Sequence, residues 1–289
     1  MATGADPVLA ELASYDALSL AEASGAFVVG LTVFPPRPGE VQVRLQVVGG
    51  ETADGALRRG LLRASAAGQS PVSMPLRPCG SGCLAGRGFI PGPARWRFEA
   101  SFASADEHQG RAAFDVPLPA ADGRAELGRA LAATEALRSA MLREELRGEV
   151  GGKQVVATYR FAAPDAFEIR VDDSHRVVIG KRTWNRSAPG DAWKEGEWPG
   201  EAFRWPESHY RAFWHERAAV RVLGEEVVDG VPSRVVAFVR PGLPAWFRVW
   251  VGIPDGLVRR EQMLAEGHLM DRFYDELDRP IAITPPVQG

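Results

Sequence analysis

The 289-residue chain contains only two cysteines, five histidines and three lysines, and its basic residues do not outnumber its acidic ones. With a net charge of −3 it lacks the positive charge that neutralises phosphates, so we expect no nucleic-acid partner. It also lacks any run of roughly 18 apolar residues and any basic segment followed by an apolar run near its N-terminus. We therefore expect a soluble chain, or the soluble part of a longer one.

The usual signatures of catalysis are missing as well. The sequence has no phosphate loop, dinucleotide fingerprint or metallohydrolase motif. Residues 172–175 (Asp-Asp-Ser-His) read as a turn, because adjacent Ser and His do not converge as triad members must. His209 and His215 do not share a helix face at their spacing, so no metal site is expected between them. The sequence therefore predicts a protein that is not an enzyme.

The two cysteines stand close together, at Cys79 and Cys83, with glycines between them. This arrangement favours a disulfide in an oxidising compartment, where so small a loop would stabilise the fold by roughly 2 kcal/mol. Three residues separate the thiols, not the two of redox and zinc motifs. A redox or metal pair, and a pair of inert thiols, stay open as alternatives.

The first half of the chain shows short runs of alternating apolar and polar residues between Gly, Pro and Ser clusters. The run from Val41 to Val47 is a half-buried strand pattern. This rhythm predicts a mainly β protein in which residues 25–119 form an Ig-like antiparallel β-sandwich. Residues 1–24 are Ala-rich with weak helical periodicity and predict an N-terminal arm or tether.

The second half begins where Pro117–Asp122 ends the sandwich and starts a short helix. Long strands follow, so residues 120–289 are predicted to form a large antiparallel sheet with few helices, which can wrap an internal space. In the segment Trp246–Tyr274, two strand-like runs flank a Pro-Asp-Gly turn. Both faces of that hairpin are too apolar to face solvent.

Several segments of the second half carry a resemblance: Tyr159–Asp165, Val177–Arg186, Trp193, Val228–Pro232, Trp246–Val251 and Met263–Tyr274. They resemble the LolA/LppX-like lipoprotein-carrier fold, an open antiparallel β half-barrel with a helical lid. In the first half, Leu31–Gly39 and Phe89–Trp96 resemble a YtkA-like Ig-like sandwich. Together they are similar to the soluble C-terminal region of bacterial CopD-type copper-resistance proteins.

The resemblance implies an extracytoplasmic, membrane-associated location, with a membrane-embedded region or a protein as partner. It also implies a cavity in the half-barrel that holds acyl chains, so a hydrophobic or lipid ligand is expected there. The alternative is that the large aromatic side chains simply fill a core. The candidate lining residues are Phe161, Phe167, Trp184, Trp193, Phe203, Trp205, Phe238, Trp246 and Trp250.

His268 and Met270 are the candidate metal ligands. They point the same way on an extended strand, whereas Met263 faces the opposite way unless a bulge at Gly267 shifts the register. Thioether and imidazole ligands suit Cu(I), although a packed Met pair beside a hydrogen-bonded histidine is the alternative. No other cofactor is expected.

The leading hypothesis is a non-enzymatic extracytoplasmic module of a copper-resistance-type membrane protein, which binds a hydrophobic ligand or a partner. A copper-binding periplasmic module and a structural interaction domain are the alternatives. A filled barrel with an exposed apolar patch would favour the last of these.

Overall fold

In a computed structural model of the chain, the structure describes residues 16–49, 57–104, 109–148, 151–205, 217–240 and 242–286. These residues form two antiparallel sheets and one α-helix. His209, His215 and most of the predicted N-terminal arm lie outside these ranges. Within the described ranges, no helix has the length and hydropathy needed to cross a membrane.

Sheet 1 contains the strands β1 (Leu18–Ser24), β2 (Phe27–Phe34), β3 (Gly39–Val48), β4 (Leu57–Ser65), β5 (Val72–Gly80), β6 (Cys83–Ile90), β7 (Ala94–Ser104) and β8 (Gln109–Leu118). Their order is β1-β2-β3-β6-β5-β4-β7-β8. Burial alternates residue by residue along β7 and β8, and Leu31, Leu45, Trp96 and Phe98 are fully enclosed. The sequence pattern therefore predicts this core correctly, while its Ig-like topology stays a prediction.

One part of the predicted arm is a strand instead. Leu18–Ser24 pair with β2 along their whole length, with Leu20 opposite Leu31. Leu18 and Leu20 are buried in the sheet 1 core. The prediction of an arm up to residue 24 is therefore wrong for β1, because the Ala-rich composition hides two alternating core leucines.

Sheet 2 contains the strands β9 (Ala121–Asp122), β10 (Ser139–Arg147), β11 (Gln154–Ala162), β12 (Ala166–Val171), β13 (Ser174–Ile179), β14 (Arg182–Arg186), β15 (Lys194–Glu197), β16 (Ala218–Val228), β17 (Val231–Arg240), β18 (Ala245–Gly252), β19 (Val258–Ala265) and β20 (His268–Asp275). Their order is β15-β14-β13-β12-β11-β10-β20-β19-β18-β17-β16-β9. The helix α1 (Arg124–Glu135) follows β9, where the Asp122 carboxylate accepts a hydrogen bond from the Arg124 backbone N–H at 2.9 Å.

The segment Trp246–Tyr274 forms three strands where the sequence predicts two. A second tight turn at Glu266 and Gly267, with Gly267 at a φ of 66°, separates β19 from β20. Only glycine adopts this left-handed conformation without steric cost. The extra turn changes which side chains share a face.

The two faces of sheet 2 pack against different partners. The helix face carries a hydrophobic cluster with Leu127 and Ala130 of α1, and its β18 members include Phe247 and Val249. On the opposite face, here called the docking face, Trp246 packs against residues of sheet 1. The alternation along β18 therefore divides an apolar strand between two separate cores.

Specific contacts hold the docking face on sheet 1. The Trp246 indole N–H donates to the Ser19 hydroxyl at 3.1 Å, and the Arg221 Nε donates to the Ala17 carbonyl at 3.0 Å. Gly30 makes room for the Trp246 ring, because a Cβ at that position would lie 2.5 Å from its Cε2 atom. The two halves thus meet through a fitted interface.

Candidate functional site

An aromatic wall covers one end of the helix face. Phe161 and Phe167 are cross-strand neighbours on β11 and β12. Trp205 stacks on Phe161 with ring centroids 4.3 Å apart, and Phe203 packs on Phe167 at 4.5 Å. All four side chains are buried. Aromatic pairs at these separations are favourable beyond the area they bury.

The covering side of this wall comes from an irregular segment. Residues 198–205 form neither helix nor strand, yet Trp198, Phe203 and Trp205 all pack onto the helix face. The Trp205 indole N–H donates to the Leu137 carbonyl at 3.0 Å, and Trp198 meets Phe167 edge-on at 5.3 Å. Backbone hydrogen bonds also hold its two ends, from the Trp198 N–H to the Lys181 carbonyl at 2.7 Å and from the Trp205 N–H to the Pro164 carbonyl at 3.0 Å.

Two further phenylalanines extend the apolar surface toward β17 and β18. Phe238 and Phe247 are direct cross-strand partners, and their rings stack at 4.8 Å. Phe247 was not among the predicted lining residues. Its alternation with Trp246 could have identified it once the helix face was known.

A row of polar side chains crosses the middle of this apolar face. Arg272 Nε donates to the Glu144 carboxylate at 2.5 Å, and its Nη1 atom lies 3.6 Å from the Glu261 carboxylate. The Tyr159 hydroxyl donates to Glu144 at 3.2 Å, and the Tyr274 hydroxyl donates to Glu261 at 2.9 Å. These five residues, here called the polar row, were not predicted as a site.

The polar row is largely shielded from solvent. The side chains of Glu144, Arg272 and Glu261 are only 8%, 12% and 2% exposed. Burial, together with the Glu144 charge, raises the pKa of Tyr159 to about 12, so its hydroxyl stays protonated at neutral pH. Burial alone would lower the pKa of the Arg272 guanidinium, but the neighbouring Glu261, Tyr274 and Glu144 raise it. Arg272 is therefore a permanent cation between two carboxylates.

Such a row is costly for a core. Removing three charges from water carries a large desolvation penalty, and well-packed apolar side chains often serve stability as well or better. Buried, interacting ionisable groups are enriched at functional sites. The polar row therefore marks the centre of the helix face as the candidate functional site.

Four of the predicted lining residues lie on the opposite face of sheet 2. Trp184 aligns with Val177 and Glu168, across the sheet from Phe167. Trp193 packs edge-on against His175, which bonds Glu168 on that same side. Trp184 and Trp193 therefore do not share the helix face with Phe161 and Phe167, and their contact with a ligand stays a prediction.

Trp246 and Trp250 also point away from the helix face. Trp246 packs in the sheet 1 interface, and Trp250 joins the sheet 1 core cluster. The Trp250 indole N–H donates to Glu226 at 2.8 Å, and the Arg260 guanidinium lies 4.5 Å from the Trp250 ring centroid. Strand alternation separates both residues from Phe161, Phe167, Phe203, Trp205 and Phe238, which do share the helix face.

The Met and His residues come together more closely than predicted. Met263 on β19 is the direct cross-strand partner of Met270 on β20, so the two share the helix face. His268, two residues before Met270 on the same strand, lies on that face too. Met263 does not face away, because the chain reverses in a turn at Gly267, where the sequence offered a bulge as the condition for a shared face. Among the described residues, no group of three or more His, Cys, Asp or Glu side chains could hold a metal ion.

The two cysteines form the predicted disulfide. Cys79 at the end of β5 is bonded to Cys83 at the start of β6, with their Cα atoms 5.2 Å apart. The bond closes the hairpin between these strands. The alternatives of a redox or metal pair and of free thiols do not apply to this disulfide-bonded state.

Comparison with known proteins gives structural neighbours only. No protein-family model matches the chain, and no curated protein matches it. Among solved structures, lipoprotein LppX from Mycobacterium tuberculosis aligns with 14% identity over 55% of this chain and 97% of its own, at a TM-score of 0.41. LprF from Mycobacterium bovis aligns with 14% identity over 57% and 96%, at 0.40. A LolA superfamily protein from Nitrosomonas europaea aligns with 9% identity over 56% and 94%, at 0.26.

These neighbours include the LolA/LppX-like proteins that the sequence resembles. The aligned part is a little over half of this chain. At such identities, and with TM-scores below 0.5, the likeness carries no conclusion about this chain.

Proposed function

We propose that the helix face of sheet 2 binds a hydrophobic, lipid-like ligand and that the protein is a binding module without enzymatic activity. The single observation that carries this proposal is the polar row buried at the centre of an otherwise aromatic and aliphatic face. An amphipathic ligand matches both parts: its chain suits the aromatic wall, and its polar group suits the row. Ligand sites commonly combine an apolar lining with a few placed polar groups.

For a ligand to bind on the aromatic wall, the irregular segment 198–205 has to move away from it. Its side chains fill the space over Phe161 and Phe167, and its backbone forms neither helix nor strand. A ligand chain would replace Phe203 and Trp205 against the wall. Each square ångström of apolar ligand surface removed from water contributes about 25 cal/mol before ordering costs.

The wider setting is part of the same proposal. We infer an extracytoplasmic protein, because a disulfide such as Cys79–Cys83 persists in oxidising compartments. The resemblance to CopD-type proteins suggests membrane association, an Ig-like first domain over residues 25–119 and a half-barrel domain over residues 120–289. A membrane-embedded region or a partner protein would then exchange ligand with the helix face.

Photolabelling tests the proposal. A long-chain alcohol that carries a diazirine in its chain should label the purified full chain saturably under ultraviolet light. We expect Trp198→Ala to change the half-saturating probe concentration several-fold, because Trp198 packs on Phe167. Trp193→Ala is the matched control, since Trp193 packs on His175 across the sheet, and its labelling should equal that of the wild type.

Absence of saturable labelling would contradict the binding function and favour the structural interaction domain. Equal effects of the two substitutions would also count against the helix face as the site. Circular dichroism of each variant separates a lost site from a lost fold.

A second candidate function is Cu(I) binding by Met263, His268 and Met270, which the observed register brings to one face. Two thioethers and an imidazole are soft ligands suited to Cu(I). In an anaerobic Cu(I) titration with ascorbate, which leaves the disulfide intact, we expect Met270→Leu and His268→Ala to lose one equivalent of bound copper. Met141→Leu is the control, because Met141 pairs with Arg160 on the other face. Unchanged stoichiometry in both ligand variants would eliminate the site.

A further inference from the structure

An open groove with a volume of about 540 Å³ crosses β4, β7 and β8 on the side of sheet 1 that is turned away from its core. Arg63 and Arg111 are among the residues that line it. We propose that this groove binds a phosphate group, carried by a small organic molecule, between these two arginines. The proposal goes beyond the binding function of the helix face, because the groove lies on the other sheet and shares no residue with that face.

The register of the three strands places the two arginines on opposite sides of β7. Arg63 is the cross-strand partner of Glu99, and Arg111 is the cross-strand partner of Ser101. Cross-strand partners, and residues two apart on one strand, share a face of the sheet. At the usual strand spacing and rise per residue, the Cα atoms of the two arginines are about 12 Å apart. Two arginine side chains that extend toward each other can hold a small group between them.

The bottom of the groove suits the organic part of a ligand. The side chains of Ser101 and Ala113 are short, and Leu61 adds apolar surface beside them. The Ser101 hydroxyl donates to the Leu61 carbonyl at 3.4 Å. The volume of the groove falls within the range of roughly 300–1,000 Å³ that is common for ligand pockets.

The two arginines keep their charge and their hydrogen-bond donors available. The Glu99 carboxylate, which also lines the groove, lies 3.2 Å from Arg97 Nε, and the Asp115 carboxylate lies 3.7 Å from Arg97 Nη1. Within the described ranges, the guanidinium groups of Arg63 and Arg111 have neither a hydrogen-bond partner nor an ion-pair partner. Each guanidinium therefore offers its N–H groups to a ligand.

A phosphate matches this pair of arginines better than a carboxylate does. A guanidinium presents its N–H groups as a fixed fork that bonds a carboxylate or a phosphate through two oxygens. One fork is enough for the two oxygens and single charge of a carboxylate. A phosphate monoester has three terminal oxygens and a charge close to −2 at neutral pH, so it can bond to Arg63 and Arg111 at once. A soluble phosphate ester and a phospholipid headgroup both supply this group.

Isothermal titration calorimetry of the purified full chain tests the site. Phenyl phosphate and benzoate are the probes, because they share a ring and differ in the anionic group. We expect phenyl phosphate to bind at least about tenfold more tightly than benzoate, since it gains charge-assisted hydrogen bonds to a second arginine. Arg63→Ala and Arg111→Ala should each raise the dissociation constant of phenyl phosphate at least about tenfold for the same reason.

Vesicles identify the source of the phosphate. Cosedimentation with vesicles of phosphatidylcholine and phosphatidic acid, reversed by phenyl phosphate, would support the site and assign it to a lipid headgroup. Binding of phenyl phosphate without cosedimentation would support the site and assign it to a soluble ester.

Arg87→Ala is the matched control. Arg87 is an exposed arginine on β6 of the same sheet, outside the groove, so this variant removes the same charge. It should leave the dissociation constant of phenyl phosphate unchanged. Circular dichroism of each variant confirms that the fold is kept.

Three results would overturn the site. They are failure of phenyl phosphate to bind, benzoate binding as tightly as phenyl phosphate, and equal effects of Arg87→Ala and Arg63→Ala, which would mean that net charge alone attracts the anion. Each of them leaves the photolabelling of the helix face unchanged, so this proposal and the proposed function fail separately.

Discussion

Replacing Gly30 by alanine is expected to lower the free energy of unfolding by about 2–3 kcal/mol, the upper range for forced overpacking. The new Cβ would lie 2.5 Å from Cε2 and 2.9 Å from Cη2 of Trp246. The ring is held in place, because its N–H donates to the Ser19 hydroxyl and it packs in one buried cluster with Val28, Val48 and Leu264. The clash should therefore weaken the packing of the docking face of sheet 2 against sheet 1.

Urea denaturation of the full chain measures this loss. Gly128→Ala is the matched control, since nothing lies within 4 Å of a Cβ there and alanine suits the interior of α1. It should raise stability by roughly 0.5–1 kcal/mol. In the double variant Gly30→Ala/Trp246→Phe, the smaller ring should recover part of the loss and give a measurable coupling energy. If the free energy of unfolding of Gly30→Ala equalled that of the wild type, the interface between the two sheets would not be closely packed around Trp246.

The second large effect is expected at Arg272. Arg272→Met removes the guanidinium that Glu144 and Glu261 share, and breaking a buried ion network in this way typically costs about 3–5 kcal/mol. Urea denaturation at neutral pH gives the value. A cost under about 1 kcal/mol would mean that water reaches the row, and the low exposure of these side chains would then not describe the protein in solution.

A triple variant separates stability from function. Replacing Glu144, Arg272 and Glu261 together by methionine should cost less than Arg272→Met alone, because no charge is left unpaired and only the Tyr159 and Tyr274 hydroxyls lose their acceptors. The same variant should raise the half-saturating concentration of the diazirine alcohol, because it removes the polar groups of the proposed site. A triple variant as unstable as Arg272→Met would instead show that the row serves the fold.

Much of the architecture follows from local sequence pattern. The alternation of apolar and polar residues along Val41–Val47 predicts a strand, because every second side chain can then enter an apolar core. This pattern predicts strands wherever the two-residue period is clear. The rule fails at Leu18–Ser24, where small residues mask the period. It also fails at Gly267, where two strands read as one because the turn is only two residues long.

The site is harder to predict than the fold. Alternation shows that Trp246 and Phe247 face opposite ways, but it does not say which face meets α1 and which meets sheet 1. That choice is made by tertiary packing, such as the space left by Gly30. The polar row likewise cannot be recognised in the sequence. Glu144, Glu261 and Arg272 lie on three different strands, and only the register of the sheet brings them together.

The most direct measurement of the central claim is the position of the photolabel. After saturating labelling and proteolysis, mass spectrometry identifies the modified residues. The account predicts adducts within β11, around Phe161, and within the segment 198–205, both displaced by excess unlabelled alcohol. Labelling confined to sheet 1, or to the docking-face residues Trp184 and Trp193, would contradict the claim that the helix face of sheet 2 binds the ligand.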